Sequence, residues 1–376
     1  MERLKIDRRM FVRSGLIATV LTSRRGATLA AFATQGEKPT DVYSRAIVVD
    51  TMSFDKSTFD PHPLLDAGVT ALVLDLFNFP RDTEHAIAEL DNWGKAFSSD
   101  GSLFCPIRTA ADFAQAKEQK KLGIVLASQD ANILGPPNYS ISNINLETLQ
   151  ILYQKKLRVL QLTYTDANGL GSGYAEPHDA GLTRLGRAVV QEMNRLGMLI
   201  DVSHCGEKTT LDAISDSKHP IAITHAGCFA VYRHPRNKSD AIIRKLAEHG
   251  GYLGVYNSTL WMTDSSAPTV QDIVNHIDHV VKVGGIDLVG FGSDQLALGD
   301  PRPQGEKVAG MQQFVSRTKG WPGTGPSHGQ TTASDLDHPD RCRVLADALA
   351  RRGYPSRNIE KILGGNFVRT FGVACG

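Results

Sequence analysis

Two histidines close consecutive apolar runs, in Asp201-Val-Ser-His204 and Ile223-Thr-His225, and an aspartate closes a later one in Gly292-Ser-Asp294. Imidazole nitrogens bind Zn²⁺ at ~2.1 Å, and neighbouring parallel strands lie ~4.8 Å apart, so both rings could reach one ion. A lone histidine after a strand is more often a structural hydrogen-bonder; two in succession, joined by an aspartate, are harder to explain as packing. Asp294 would either complete the coordination or take a proton from metal-activated water, the alternative being a cap on the next helix. Arg236, in His234-Pro-Arg236-Asn237, could hold a substrate carboxylate through two hydrogen bonds or sit in a surface salt bridge.

Such residues need a frame. From Tyr43 onward there are short apolar runs at 46–50, 69–76, 123–127, 158–163, 198–202, 221–224, 252–256 and 288–292, each followed by a helical pattern. Between them, Leu182, Leu185, Val189, Met193 and Leu196 share one helical face, as do Val270, Ile273, Val274, Ile277, Val280 and Val281. Continuous apolar strands alternating with helices indicate a parallel sheet covered on both sides. Eight such units predict a closed (β/α)8 TIM barrel spanning 43–376, with a doubly wound sheet as the alternative. Residues 300–335, rich in Gly, Pro, Ser and Thr, read as a long loop over the barrel mouth, and the tail over 346–371 as helix packed on the outside. In a barrel the active site lies at the C-terminal ends of the strands, so the closing residues carry the chemistry: Asp50-Thr51-Met52, Asp75, Ser128-Gln129, Tyr164-Thr165-Asp166, His204-Cys205, His225, Asn257 and Asp294.

Composition bounds the function. The 376 residues hold 41 Lys+Arg against 40 Asp+Glu, which gives no basic face for nucleic acid. Seven of the basic and two of the acidic residues lie in 1–33, leaving a mildly acidic body with 34 basic and 38 acidic residues. That leader contains Arg8-Arg9-Met10-Phe11-Val12-Arg13 before a modest apolar stretch and Ala31-Phe32-Ala33 as a cleavage site. It reads as a twin-arginine-type export signal, so the expected location is the periplasm. The apolar stretch is broken by Ser23-Arg24-Arg25-Gly26, so no membrane span is expected. Five cysteines, an odd number, do not make a disulfide scaffold.

The sequence resembles the membrane dipeptidase group (renal dipeptidase, peptidase family M19) of metal-dependent hydrolases. The resemblance is carried by Gln161-Leu-Thr-Tyr164, the stretches 176–182 and 192–204, His234-Pro-Arg-Asn237, Gly292-Ser-Asp294 and the stretch 362–367. It implies a (β/α)8 barrel, commonly dimeric, whose two-zinc site hydrolyses dipeptides. By that resemblance His204 and His225 bind the second zinc, Arg236 holds the substrate carboxylate, Asp294 is the catalytic aspartate, and Tyr164 stands where some members have a substrate-contacting histidine; Asn257, which closes its own apolar run, is a further candidate substrate contact.

The other half of the family's site is altered. Its first strand ends in Asp-Gly-His-Asn-Asp; here Asp50-Thr51-Met52-Ser53-Phe54 places Met52 and Phe54 at the two ligand positions, and Gln129 replaces the carboxylate that bridges the metals. A thioether and a phenyl ring cannot stand in for hard nitrogen and oxygen ligands of Zn²⁺. The expectation is therefore a single-zinc dipeptidase-like hydrolase using His204, His225 and Asp294, with Gln129 or Cys228 as further candidate ligands. Two other readings stay open: a periplasmic peptide-tailoring enzyme that binds copper through sulfur, and a non-catalytic peptide binder. Cys205 and Cys228, each close to a metal histidine, are otherwise buried small hydrophobes or a disulfide.

Overall fold

The computed structural model describes residues 39–76, 82–136, 144–303, 305–307, 309–310 and 331–376. The basic leader and most of the Gly/Pro-rich stretch within 300–335 lie outside the described residues. Ten strands form one parallel sheet: β1 (Val49–Phe54), β2 (Ala71–Asp75), β3 (Phe104–Pro106), β4 (Leu122–Ser128), β5 (Leu157–Gln161), β6 (Leu199–Asp201), β7 (Ala222–Ala226), β8 (Tyr252–Val255), β9 (Val289–Phe291) and β10 (Gln295–Leu296). Their order is β10-β1-β2-β4-β5-β6-β7-β8-β9, with β3 a short addition against β4.

The two ends of that order, β9 and β10, are consecutive in the chain and separated by only Gly292, Ser293 and Asp294. The chain itself thus closes the sheet, through β9 on β8 and β10 on β1. The fold is a (β/α)8 barrel of the metal-dependent hydrolase type, and its eighth strand is interrupted at Asp294.

Local sequence explains the covering helices. Helix Arg184–Leu196 starts at Thr183, whose hydroxyl accepts from the Gly186 amide, and stops at Gly197, which takes the left-handed conformation a C-terminal cap requires. Helix Val270–Gly284 opens with a Thr269/Asp272 capping box and buries Val270, Ile273, Val274, Ile277 and Val280, the face its periodicity predicts.

Side chains alternate along the strands and divide the interior into two zones. Val49, Ala71, Val73, Val125, Val159, Leu199, Ala222 and Tyr252 join one apolar cluster near the strand starts. Two residues further on, several of the same strands present Asp75, Gln161, Asp201 and Thr224, all buried. The barrel is therefore dry at its base and polar beneath its mouth.

The tail departs from the sequence expectation. Helix Asn366–Cys375 does not simply lie on the outer wall: Phe367 and Phe371 belong to the interior cluster, with Phe367 edge-on to Tyr252 at 5.2 Å. Phe113 packs edge-on against both rings, at 6.1 Å from Phe367 and 5.5 Å from Phe371, which anchors the helix at the base.

Thr51 spans the interior, its hydroxyl lying 2.8 Å from the Thr224 carbonyl and 3.0 Å from the Phe291 carbonyl, which share its one hydrogen. Gly254 makes this approach possible, since a Cβ there would lie 2.7 Å from Thr51 Oγ1 and run into the Thr224 carbonyl. Gly254→Ala is expected to destabilise the protein by about 2 kcal/mol through overpacking. Urea unfolding would show it, and an unchanged midpoint would refute it.

Candidate active site

His204 and His225 meet at the C-terminal ends of β6 and β7, with their Nε2 atoms 3.0 Å apart. The β7–β8 register shifts between Ile223 and Ala226, an irregularity that re-aims the side chains at Thr224 and His225. The Thr224 hydroxyl donates to Asp201 Oδ2 at 2.6 Å and lies 2.8 Å from His225 Nδ1. Because that hydroxyl hydrogen is committed to the carboxylate, its oxygen accepts from Nδ1–H. The His225 Nε2 lone pair is thereby turned toward His204. Asp201 also accepts from the Ser203 hydroxyl (2.5 Å) and from the amides of Ser203 and Thr224 (2.9 and 3.2 Å). Burial pushes its carboxyl up, and these donors pull it back. His204 is held by the Tyr164 ring, stacked on it at 4.4 Å, with Tyr174 at 5.9 Å.

Asp294 occupies the break between β9 and β10 with φ 58°, a left-handed conformation uncommon for a residue with a side chain. Its amide is fixed on the Met52 carbonyl (2.9 Å) and its Oδ2 accepts from the Ser258 hydroxyl (2.9 Å). Oδ1 lies 3.9 Å from His225 Nε2. Burial raises its pKa to about 6; Arg236 and Ser258 oppose the rise, whereas Asp75 and Asp50 add to it. No helix begins here, so the capping alternative does not apply.

Arg236 is fully buried, which removes the surface salt bridge as its role. Its terminal nitrogens donate to the carbonyls of Ser203 (2.5 Å) and His225 (2.8 Å), tying together the segments that carry the two histidines. Its Nε–H has no partner among the described residues. The Tyr256 and Tyr174 rings flank the guanidinium at 5.2 and 5.8 Å. Asn257, also fully buried, accepts from the Ala333 amide at 3.1 Å, and its Nδ2 has no partner among the described residues.

The positions of the family's first metal hold different chemistry. Met52 is buried and Phe54 half-buried. Gln129 gives its backbone amide to Asp75 Oδ1 (2.9 Å) and its side-chain amide to Asp75 Oδ2 (3.4 Å). Cys205 accepts from the Thr163 hydroxyl at 3.2 Å, and Cys228 is directed at the His276 carbonyl, 3.5 Å away. All five cysteines are free thiols, so the Cys205–Cys228 disulfide does not form. Burial pushes the Cys205 thiol up to about 11 and that of Cys228 higher still. Thus the structure brings His204, His225, Asp294 and Tyr164 together, and it places Gln129 and Cys228 against other partners.

Three supports went unread in the sequence: the Asp201–Thr224 relay, Ser258, and Arg341. Arg341 is buried behind the strand break, donating to Ser293 Oγ (2.8 Å) and to the carbonyls of Leu296 and Ala297 (2.7 and 3.0 Å), with Asp50 Oδ2 at 3.4 Å. A usable signal existed for the relay alone, in hydroxyl residues directly preceding each histidine.

Residues 81–321 match the model of the membrane dipeptidase family, peptidase family M19. This chain belongs to that family. Dipeptidase verJ of Clonostachys rogersoniana is 30% identical over 223 residues, covering 58% of this chain and 48% of that protein. Dipeptidase tcpJ of Claviceps purpurea is 29% identical over 257 residues, covering 67% and 53%. The chain thus spans about half the length of these curated relatives. Among solved structures, an amidohydrolase from Pseudomonas aeruginosa superposes with a TM-score of 0.75 at 25% identity, over 90% of this chain and all of that one. A Rhodobacter sphaeroides metallopeptidase, solved with a phosphinate mimic of L-Ala-D-Ala, shares the fold at 18% identity and a TM-score of 0.69, over 88% and 99% of the two chains.

M19 members are generally zinc-dependent. Tested against that expectation, the two halves of the site differ. The paired Nε2 atoms, with the tautomer of His225 set from behind, fit one ion. Met52, Phe54 and the engaged Gln129 do not fit another. Among the described residues, no group of three His, Cys, Asp or Glu side chains converges on one point, and Asp294 Oδ1 stands 3.9 Å from His225 Nε2. If the relay orients His225 for metal, Asp201→Asn should weaken zinc affinity by about 10- to 100-fold with the fold intact. Competition with a zinc-sensitive chelator measures this, and unchanged affinity would discard the relay.

Proposed function

We propose that this M19 chain is a dipeptidase-like metallohydrolase working from one zinc ion held by His204 and His225, rather than from two. The observation that carries the reading is the facing pair of Nε2 atoms 3.0 Å apart, backed by the Thr224–Asp201 relay. A bound divalent ion supplies Lewis acidity for amide hydrolysis. The chain's own residues do the rest. Asp294, with a pKa near 6 and Oδ1 toward the histidines, takes a proton from the attacking water and returns it to the leaving amine. Ser258 holds the other carboxylate oxygen so that Oδ1 keeps this aim. The substrate carboxylate is drawn by Arg236, whose buried charge no surface ion pair neutralises and whose Nε–H remains available. Asn257 Nδ2 offers a hydrogen bond to the peptide, and the Tyr164 ring forms a wall over His204.

The dipeptidase names of the curated relatives and the dipeptide mimic bound by the Rhodobacter sphaeroides enzyme support a short peptide as substrate. Copper held through sulfur draws no support from Cys205 and Cys228, which face other groups.

Elemental analysis of protein purified without added metal or chelator, run beside His204→Ala, tests the proposal. About one zinc per chain is expected, lost in the variant together with dipeptide turnover. A wild-type protein with neither zinc nor turnover would overturn it and leave peptide binding without hydrolysis.

A further inference from the structure

Arg341 is the first residue of helix Arg341–Arg352. A helix N-terminus carries partial positive charge, so this is an electrostatically poor place for a cation. The side chain is also buried, at 2% exposure. Taking an ion pair out of water is costly enough that an apolar pair of similar volume often serves stability as well or better. Neither the helix nor the core therefore accounts for a guanidinium here.

Its hydrogen bonds do. Nη1 donates to Ser293 Oγ (2.8 Å), directly before Asp294, and Nη2 donates to the carbonyls of Leu296 and Ala297 (2.7 and 3.0 Å), shortly after it. One rigid, planar group thus grips the chain on both sides of Asp294, while Nε anchors it to the His338 carbonyl at 3.0 Å. Asp50 of β1 completes the grip: Oδ1 accepts from the Ser293 amide (2.7 Å), and Oδ2 faces Nη1 at 3.4 Å. The Ser293 hydroxyl passes its own hydrogen to the Met52 carbonyl (3.2 Å), the same acceptor that fixes the Asp294 amide (2.9 Å). These contacts converge on a residue held at φ 58°, a conformation that persists only where the surroundings over-determine it.

We infer that Arg341 is a positioning residue for Asp294, acting through Ser293 and Asp50 to set the direction in which the carboxylate leaves the backbone. Ser258 holds the carboxylate itself, and Arg341 holds the chain that bears it. The inference rests on the reading of Asp294 as the proton-transfer group. It adds that the aim of this group is fixed by the helix that follows the broken eighth strand, and it explains why a buried charge is kept at that helix start.

A double-mutant cycle with L-Ala-D-Ala as substrate tests this, with active protein counted by bound zinc. Arg341→Lys keeps the charge opposite Asp50 but has one nitrogen in place of the fork, so it cannot grip both flanks of Asp294. It should lower kcat by about 10- to 100-fold, with KM and zinc content within about twofold of wild type. Ser293→Ala keeps both buried charges and should lower kcat severalfold, which preserves the test if the lysine variant does not fold. In the Asp294→Asn background either substitution should cost less than about twofold, because a residue that acts only through Asp294 has nothing left to position. Loss by the same factor in both backgrounds would show a merely structural role and overturn the inference, as would unchanged kcat in both single variants. Full activity of Asp294→Asn alone, or a wild type without turnover, would instead overturn the functional reading, and this inference with it.

Discussion

Replacing Asp294 with asparagine is expected to lower kcat/KM for dipeptide hydrolysis by about 10²- to 10⁴-fold while the zinc content of the protein stays the same. Asparagine has nearly the same shape, tolerates the left-handed φ of 58°, and can still accept from Ser258 through its carbonyl oxygen. It cannot hold a proton. The variant therefore separates proton transfer from metal binding, the two roles open to this residue. Oδ1 lies 3.9 Å from His225 Nε2, beyond hydrogen-bond range, which favours the first role. Loss of zinc together with activity would reassign Asp294 as a ligand, and full activity would remove it from the mechanism.

The second large effect concerns acid stability. His276 is buried on helix Val270–Gly284, where Nδ1 accepts from the Cys228 amide at 2.9 Å and Nε2 donates to the Met262 carbonyl at 3.0 Å. The first contact requires the neutral ring, since a protonated Nδ1 cannot accept, and burial lowers its pKa from 6.5 to about 4 against the opposing pull of the Met262 carbonyl. The unfolded chain therefore takes up a proton below pH 6.5 that the folded chain refuses until about pH 4, so stability falls as pH drops through that window. The shift corresponds to about 3 kcal/mol at its limit. Urea unfolding of wild type and His276→Gln from pH 7.5 to 4 checks it: the wild type should lose about that much more than the variant, which has no titrating ring. Parallel pH profiles for the two proteins would refute the assignment. The consequence reaches the site, because His276 ties down the segments after β7 and β8 that carry Cys228 and Met262.

Much of the barrel was legible in the chain. Each of the eight apolar runs became a strand within a few residues of its expected place, because parallel strands covered on both faces are apolar throughout. β3 and β10 escaped notice, being three and two residues long, too short for any periodicity to register. The tail was legible as helix but not as part of the interior cluster at the barrel base, since that depends on partners distant in sequence, Phe113 and Tyr252.

Residue type and position relative to a strand end were enough to single out His204, His225 and Asp294, and the replacements Met52 and Phe54 were visible as plain differences in ligand chemistry. What the chain alone could not express is direction and partnership. The amide of Gln129 is engaged by Asp75, the sulfur of Cys228 faces helix Val270–Gly284, and Arg236 lies sealed against two carbonyls, each through contacts made across the barrel. The same holds for the His225 tautomer, set by a hydroxyl and a carboxylate on adjacent strands, and for the Asp294 backbone, held by Met52 from the first strand. Side-chain chemistry belongs to each residue by itself and survives in one dimension. Lone-pair direction, burial and charge depend on neighbours that only closure of the barrel brings within hydrogen-bond range.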